Sequence, residues 1–259
     1  MSIKSYPGLD LEGRVTIVTG ASRGVGRTVA ELFAQSGTHV VVNYLRDERA
    51  AKETVASVEQ FGVEAFPFKA DVSRSEEAEM LVAGALKHFG RIDFLICNAG
   101  IWEGALIEEM EETLWDRVID TNLKGTWSIC KATIPEMQRA GFGRIVMVSS
   151  TSGQRGEAGY SNYSASKGGQ ISLMKSLALE LGADQINVNA VAPGWVETEM
   201  SAKVLSDPVQ RQQIEKSIPL GKVATPADVA SPILFLCSGW AKHITGEVLN
   251  VNGGAVLCG

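Results

Sequence analysis

The 259-residue chain is short of the features that mark several functional classes. It has only four cysteines, Cys97, Cys130, Cys237 and Cys258, widely spaced and never as Cys-x-x-Cys. That argues against a disulfide scaffold and a thiol redox motif, and predicts reduced thiols. It has only three histidines, His39, His88 and His243, equally scattered, so no metal site is predicted. No apolar run approaches 18 residues, and Met1 to Pro7 carry no apolar signal core. The expected location is therefore cytoplasmic, with no membrane partner. Basic residues are outnumbered, 24 to 30, for a net charge of -6, so no nucleic-acid partner is expected. There is no internal repeat, low-complexity stretch or linker. With 45% hydrophobic and 21% charged residues, the chain predicts one soluble domain over 1–259.

What is present begins with Tyr163 and Lys167. Residues i and i+4 share a helix face, so a phenol stands beside a positive charge. A nearby cation favours the phenolate, and this predicts a tyrosine with a lowered pKa that can exchange protons with an alcohol or carbonyl oxygen. Tyr160 lacks this partner, because Ser164 stands four residues on. The run from Val15 to Val18 leads into Thr19-Gly20-Ala21-Ser22-Arg23-Gly24-Val25-Gly26 and then a helix-period stretch. Glycines in a strand–turn–helix let a phosphate approach the free N–H groups of a helix N-terminus. The absence of a following Gly-Lys-Ser/Thr excludes a P-loop.

Apolar runs at Val15–Val18, Val40–Val42, Ala65–Phe68, Phe94–Cys97, Ile145–Val148, Val188–Val191 and Val248–Val251 alternate with helix-period stretches. Among the latter are Glu48–Phe61, Glu76–Phe89 and a long Glu112–Arg139. The alternation predicts an α/β fold, a doubly wound parallel sheet of the Rossmann type, with about seven strands and helices on both faces. The stretch 193–226 has a clean period only near Val209–Lys216 and is the candidate substrate lid.

In this order the motifs resemble those of the short-chain dehydrogenase/reductase family, and most closely its 3-oxoacyl-carrier-protein reductases. The glycine segment is similar to its cofactor motif, Asn98-Ala99-Gly100 to its Asn-Ala-Gly, and Asn122-Leu123-Lys124-Gly125 to its structural and relay asparagine. Ser150-Thr151-Ser152-Gly153 is similar to its Ser-x-x-Gly, and Pro193-Gly194 with Thr198 to its Pro-Gly-x-x-x-Thr. Cys97 departs from the pattern, standing where many members have a second asparagine. The resemblance implies hydride transfer between a nicotinamide and a carbonyl or secondary alcohol. Tyr163 is then the general acid or base, and Lys167 lowers its pKa and holds the nicotinamide ribose. Ser150 steadies the substrate oxygen, and Asn122 holds a water that connects Lys167 to solvent or serves only the helix. Cofactor contacts are implied for Gly20, Ser22, Arg23, Gly24, Val25, Gly26, Tyr44, Arg46, Asp71, Val72, Asn98, Ala99, Gly100, Tyr163, Lys167, Pro193, Gly194, Val196 and Thr198. Asp71 faces the adenine and Thr198 the carboxamide.

Tyr44 stands where NAD-using relatives carry an acid, and Arg46 and Arg23 are close by. This points to NADP, since an arginine accommodates the 2′-phosphate. Arg46 as a plain surface residue leaves NAD as the alternative. Trp102, Arg155, Tyr160, Trp195 and Met200 are the expected pocket lining for a medium-sized, partly polar small-molecule substrate. At positions where carrier-protein reductases place key arginines stand Gly141 and Asp184, which disfavours a carrier-protein partner. A ketone reductase is therefore expected. The alternatives are a sugar or secondary-alcohol dehydrogenase, or a non-catalytic NADP-binding regulator. Relatives pair the helices corresponding to Glu112–Arg139 and Tyr163–Leu181. Here the second has an apolar stripe, Ile171, Met174, Ala178 and Leu181, with further apolar or small faces at Leu173, Leu177 and Gly168-Gly169. A homotetramer is the expected assembly.

Overall fold

The computed structural model describes residues 9–258, so the N-terminal segment scanned for a signal core lies outside the described residues. Seven strands form one parallel sheet in the order β3-β2-β1-β4-β5-β6-β7. They are β1 (Val15–Val18), β2 (His39–Tyr44), β3 (Ala65–Lys69), β4 (Phe94–Cys97), β5 (Gly143–Val148), β6 (Ile186–Pro193) and β7 (Val248–Val251). The seven runs read from sequence are these seven strands. Their cores read as continuous Val/Ile/Leu because both faces are covered. Successive residues alternate between two cores. Val18, Val40, Val42, Ile96 and Val146 face α1 (Gly24–Gln35), α2 (Glu48–Glu59) and α10 (Pro226–Cys237). Ile17, Val41, Leu95, Cys97 and Ile145 face α3 (Ser75–Phe89), α5 (Gly125–Ala140) and α7 (Ser161–Leu181). Each fully buried large side chain contributes about 1.5–3 kcal/mol. The strand order reverses between β1 and β4, and ligands of such sheets bind beyond the C-terminal strand ends at that crevice.

The structure departs from the sequence expectation in several places. The long helix expected over Glu112–Arg139 is broken into α4 (Glu112–Ile119), a π-helical turn at Asp120–Lys124, and α5. Such turns insert a residue into the helical ladder. Here it is tied in place by Asn122, whose carbonyl accepts from Thr126 Oγ1 at 2.7 Å and Gln170 Nε2 at 2.8 Å. A short α6 (Thr151–Arg155) and α10 were not anticipated. The proline in α10 masks its period, although Thr225 and Asp228 form a legible capping box.

Gly168 and Gly169 do not form an outward face. A Cβ at Gly168 would stand 3.1 Å from Gly153 O, and one at Gly169 would stand 2.7 Å from the Leu123 side chain. Of the expected stripe, Met174, Ala178 and Leu181 are buried in the subunit's own core, and Ile171 is half-buried. What α7 leaves outside is Leu179, 88% exposed, while Trp115 and Trp127 on α4 and α5 are partly exposed. The stretch 193–226 contains α8 (Ala202–Leu205) and α9 (Pro208–Ser217). Leu205, Ile218 and Val223 form a small core of its own, against which Trp195 and Ile214 pack. Among the described residues, no helix is long and apolar enough to cross a membrane.

Candidate active site

The glycine loop is fastened from two sides. Thr19 Oγ1 donates to Ile96 O and accepts from the backbone N–H of Asn98 and Ala99 at 2.9 and 3.0 Å. Asn98 Nδ2 donates to Thr19 O at 2.9 Å and Gly20 O at 3.1 Å. Asn98 thus acts on the loop, and its amide hydrogens are engaged there. From the other side Asn43 Oδ1 accepts from Gly20 N, while Asn43 Nδ2 donates to Phe68 O and Ala70 O. Asn43 was missed in the sequence. The signal was present, an amide inside the apolar β2, since buried amides need partners. Gly20 has φ +62, and a Cβ there would stand 3.0 Å from Ala99 Cα. A Cβ at Gly26 would stand 2.4 Å from Gly20 O.

The N-terminus of α1 carries no side-chain cap and no acid in its first turn. Its N–H groups and dipole therefore face the loop without an internal anion, the arrangement that suits a bound phosphate. Ser22, Arg23, Gly24 and Val25 form that turn, with Arg23 exposed. At the end of β2, Tyr44 is buried and Arg46 exposed. The nearby acids are engaged elsewhere: Asp47 caps α2 through Ala50 N at 2.9 Å, and Glu48 pairs with Lys52 at 2.7 Å. Asp71 is half-buried, and its Oδ1 accepts from Ser73 N and Oγ; its neighbour Val72 packs near Gly125. The donor set thus fits a dinucleotide, with two arginines and no free carboxylate at the position that would distinguish a ribose hydroxyl from a phosphate.

Three serines compete on the segment after β5, and their bonds separate them. Ser149 Oγ donates to Lys167 O at 2.9 Å, and Ser152 Oγ donates to Glu157 Oε2 at 2.6 Å. Ser150 remains, capping α6 through Ser152 N at 3.1 Å, its hydroxyl near enough to Tyr163 to favour the phenolate. A Cβ at Gly153 would stand 2.6 Å from the Lys167 carbonyl carbon and 2.7 Å from Gly168 N. That bare contact brings α6 onto α7, and so Ser150 onto Tyr163.

Lys167 is buried, and its Nζ donates to Val148 O at 2.7 Å. The Nζ lies 5.7 Å from the Tyr163 ring centroid. The expected lowering of the Tyr163 pKa is not what this environment produces. Burial pushes Tyr163 up to about 12, opposed by the Ser150 hydroxyl and aided by the charge of Glu157. Burial pulls Lys167 down to about 8. Desolvation disfavours the charged form of each group, so the two move apart in opposite senses. The free site therefore holds a protonated phenol.

Asn122 is fully buried. Its Oδ1 accepts from Ile101 N at 2.8 Å, and its Nδ2 donates to Ile101 O and Ser166 Oγ, both at 3.0 Å. It ties the segment after β4 to α7. A Cβ at Gly100 would stand 3.2 Å from Asn122 Oδ1 and 3.5 Å from Lys167 Nζ, so both atoms flank one point.

At the end of β6, Pro193 is buried, and just beyond it Gly194 packs on Asn252. Val196 bridges Ala224, and Thr198 with Glu199 lies over Gly24, whose Cβ position is 3.5 Å from both side chains. Trp102 stacks on Tyr160, centroids 4.7 Å apart at 14°, and meets Trp195 edge-on at 5.5 Å. The five expected lining residues thus include a contiguous aromatic trio. Arg155 ends α6, exposed, and Met200 is partly exposed in the stretch after β6. Among the described residues, no group of three or more His, Cys, Asp or Glu side chains could hold a metal ion. Cys97 and Cys130 are free, buried and 3.8 Å apart.

Comparison with known proteins agrees with this arrangement. A family profile described as enoyl-(acyl carrier protein) reductase matches residues 20–256. The 3-oxoacyl-[acyl-carrier-protein] reductase FabG of Staphylococcus epidermidis is 41% identical over 241 residues, covering 93% of this chain and 98% of its own. That of Aquifex aeolicus is 39% identical over 246 residues, covering 95% and 98%. Among solved structures, a protein of Sinorhizobium meliloti described as a short-chain alcohol dehydrogenase superposes with a TM-score of 0.92 at 34% identity, over 96% of this chain and 98% of that one. A short-chain dehydrogenase/reductase of Brucella melitensis, of glucose/ribitol dehydrogenase type, gives 0.88 at 34% identity over 97% and 100%.

The bare contact at Gly153 yields a test. Gly153→Ala must push α6 off the Lys167–Gly168 backbone, at an expected cost of about 1–3 kcal/mol. Urea unfolding should show the loss, and turnover should fall with it. Wild-type stability with wild-type turnover would mean that this contact does not set the Ser150–Tyr163 geometry.

Proposed function

The chain belongs to the short-chain dehydrogenase/reductase family of oxidoreductases, and we propose that it is an NADPH-dependent reductase of 3-oxoacyl-type ketones. The observation that carries the reading is the Ser150–Tyr163–Lys167 set with its phenol protonated. When bound, the nicotinamide supplies the hydride that reaches the carbonyl carbon. Tyr163 gives its proton to the carbonyl oxygen as charge develops there, and Ser150 donates a hydrogen bond to the same oxygen. Two hydroxyls meeting at one oxygen suit a ketone becoming an alcohol; an alkene would need its proton at carbon. Lys167, charged below about pH 8, holds the ribose hydroxyls and favours the phenolate left behind. Tyr163 regains its proton from solvent by way of Lys167 and a water beside Asn122 Oδ1, which flanks the same point as the Lys167 Nζ.

Gly20, Ser22 and Gly24 to Gly26 would hold the pyrophosphate, Asp71 and Val72 the adenine, Ala99 and Gly100 the ribose side, and Pro193, Gly194, Val196 and Thr198 the carboxamide. Arg23 and Arg46 would take the 2′-phosphate. The stretch 193–226, with its own small core, would serve as the lid, and 1–259 would be one domain in the cytoplasm. Trp115, Trp127 and Leu179, among the exposed apolar groups, would lie in the contacts of a homotetramer.

Tyr163→Phe should keep NADPH binding and lose roughly 10²–10⁴-fold in turnover. Steady-state kinetics beside a cofactor titration check this, and turnover within a few-fold of wild type would remove Tyr163 from the reaction. Arg46→Ala should weaken NADPH more than NADH, because only NADPH offers the phosphate for a charge-assisted bond. Equal losses in kcat/KM, or an NADH preference in the wild type, would contradict the cofactor assignment. Light scattering at micromolar concentration should give four chain masses; an active monomer would rule out the tetramer.

A further inference from the structure

The mouth of the site is aromatic on one side and acidic around it. Trp102 follows the Asn-Ala-Gly segment, Tyr160 opens α7 three residues before Tyr163, and Trp195 follows β6. All three are half-buried, so each leaves part of its ring exposed beyond the contacts within the trio. Their arrangement is built into the backbone. A Cβ at Gly104 would stand 2.2 Å from Gly159 O and 2.5 Å from the Tyr160 ring, so only glycine lets the Trp102 segment close down there. Trp195 is held in turn by the small core of Leu205, Ile218 and Val223.

Carboxylates outnumber cations around this mouth, with the exposed Arg155 at the end of α6 as the nearby cation. Glu157 is half-buried between α6 and α7, held by Ser152 Oγ, and its field reaches both Tyr160 and Tyr163. Past Trp102 the chain continues through Glu108, Glu109, Glu111 and Glu112, all exposed. Glu103 is paired with Arg117 and Glu197 with Arg211. An acidic carrier protein, with the phosphate at the outer end of its arm, would meet the exposed Glu108, Glu109, Glu111 and Glu112 as like charges. An uncharged substrate carries no such penalty, and a flat group gains an aromatic face to lie on.

We propose that the substrate is an uncharged ketone with a planar ring beside the reacting carbonyl, taken free rather than on an anionic carrier, and seated against Trp102 and Tyr160. This rests on the reductase reading above and adds what the site selects. Trp102 and Glu157 are its specificity-determining residues: the first by contact, the second by excluding negative charge.

The test compares kcat/KM, with NADPH, for ethyl benzoylacetate, ethyl acetoacetate and an acetoacetyl group on acyl carrier protein. The ring-bearing ester should exceed both others by about tenfold or more. Trp102→Ala should take away about tenfold for ethyl benzoylacetate and less than about threefold for ethyl acetoacetate, while Trp102→Phe keeps most of the preference. Glu157→Gln, which still accepts from Ser152, should raise the carrier-borne substrate relative to the esters. The carrier-borne substrate coming first would overturn the proposal and leave the reductase reading standing. Equal losses for both esters in a Trp102→Ala protein with wild-type circular dichroism would also overturn it. No NADPH consumption with any of the three would defeat the reductase reading, and the proposal with it.

Discussion

Everything at this site depends on keeping one ammonium group out of water beside one phenol. Lys167 is buried, and a buried cation is costly unless it is hydrogen-bonded. The Val148 carbonyl at 2.7 Å, at the end of β5, provides that bond. Neighbouring contacts serve the same end. Ser149 holds the Lys167 carbonyl, Gly153 lets α6 touch α7 without a side chain between them, and Ser166 ties the same helical turn to Asn122. The same burial that strains the lysine protects the proton on Tyr163, so the free protein stands ready to donate it.

A second set of bonds joins this turn to the cofactor side. Asn98 and Thr19 clamp the glycine loop to the end of β4, and two residues after Asn98 the chain passes Lys167 at Gly100. Asn122 holds the next residue, Ile101, by both its N–H and C=O. The segment that leads into Trp102 is thereby fixed on both sides, to the loop through Asn98 and to α7 through Asn122 and Ser166. The short stretch 98–102 thus joins the glycine loop, Asn122 and the surroundings of Lys167.

The strands were legible because β-branched runs buried on both faces need no alternation to be recognised. Ser150 was singled out by position, and in the structure its neighbours Ser149 and Ser152 are the ones bonded to Lys167 and Glu157. What escaped was set by tertiary partners. The π-turn at Asp120–Lys124 exists because Asn122, Thr126 and Gln170 bond across two helices. Gly168 and Gly169 looked like a surface for another subunit, yet they admit Gly153 and Leu123. The direction of the Tyr163 shift was misjudged because helical spacing reveals the cation but not the depth at which the pair sits.

The central claim is that Lys167 is held at the edge of losing its charge while Tyr163 keeps its proton. The sign follows from the two shifts. Lys167 is charged below about pH 8 and neutral above it, whereas Tyr163 stays protonated until about 12. The pH profile of kcat/KM for ketone reduction reports groups of the free enzyme. It should be level toward neutrality and fall through a midpoint near 8 as the ammonium is lost, well before the phenol ionises. A profile still level at pH 10 would contradict the account, since it would place Lys167 at its ordinary solvent-exposed value.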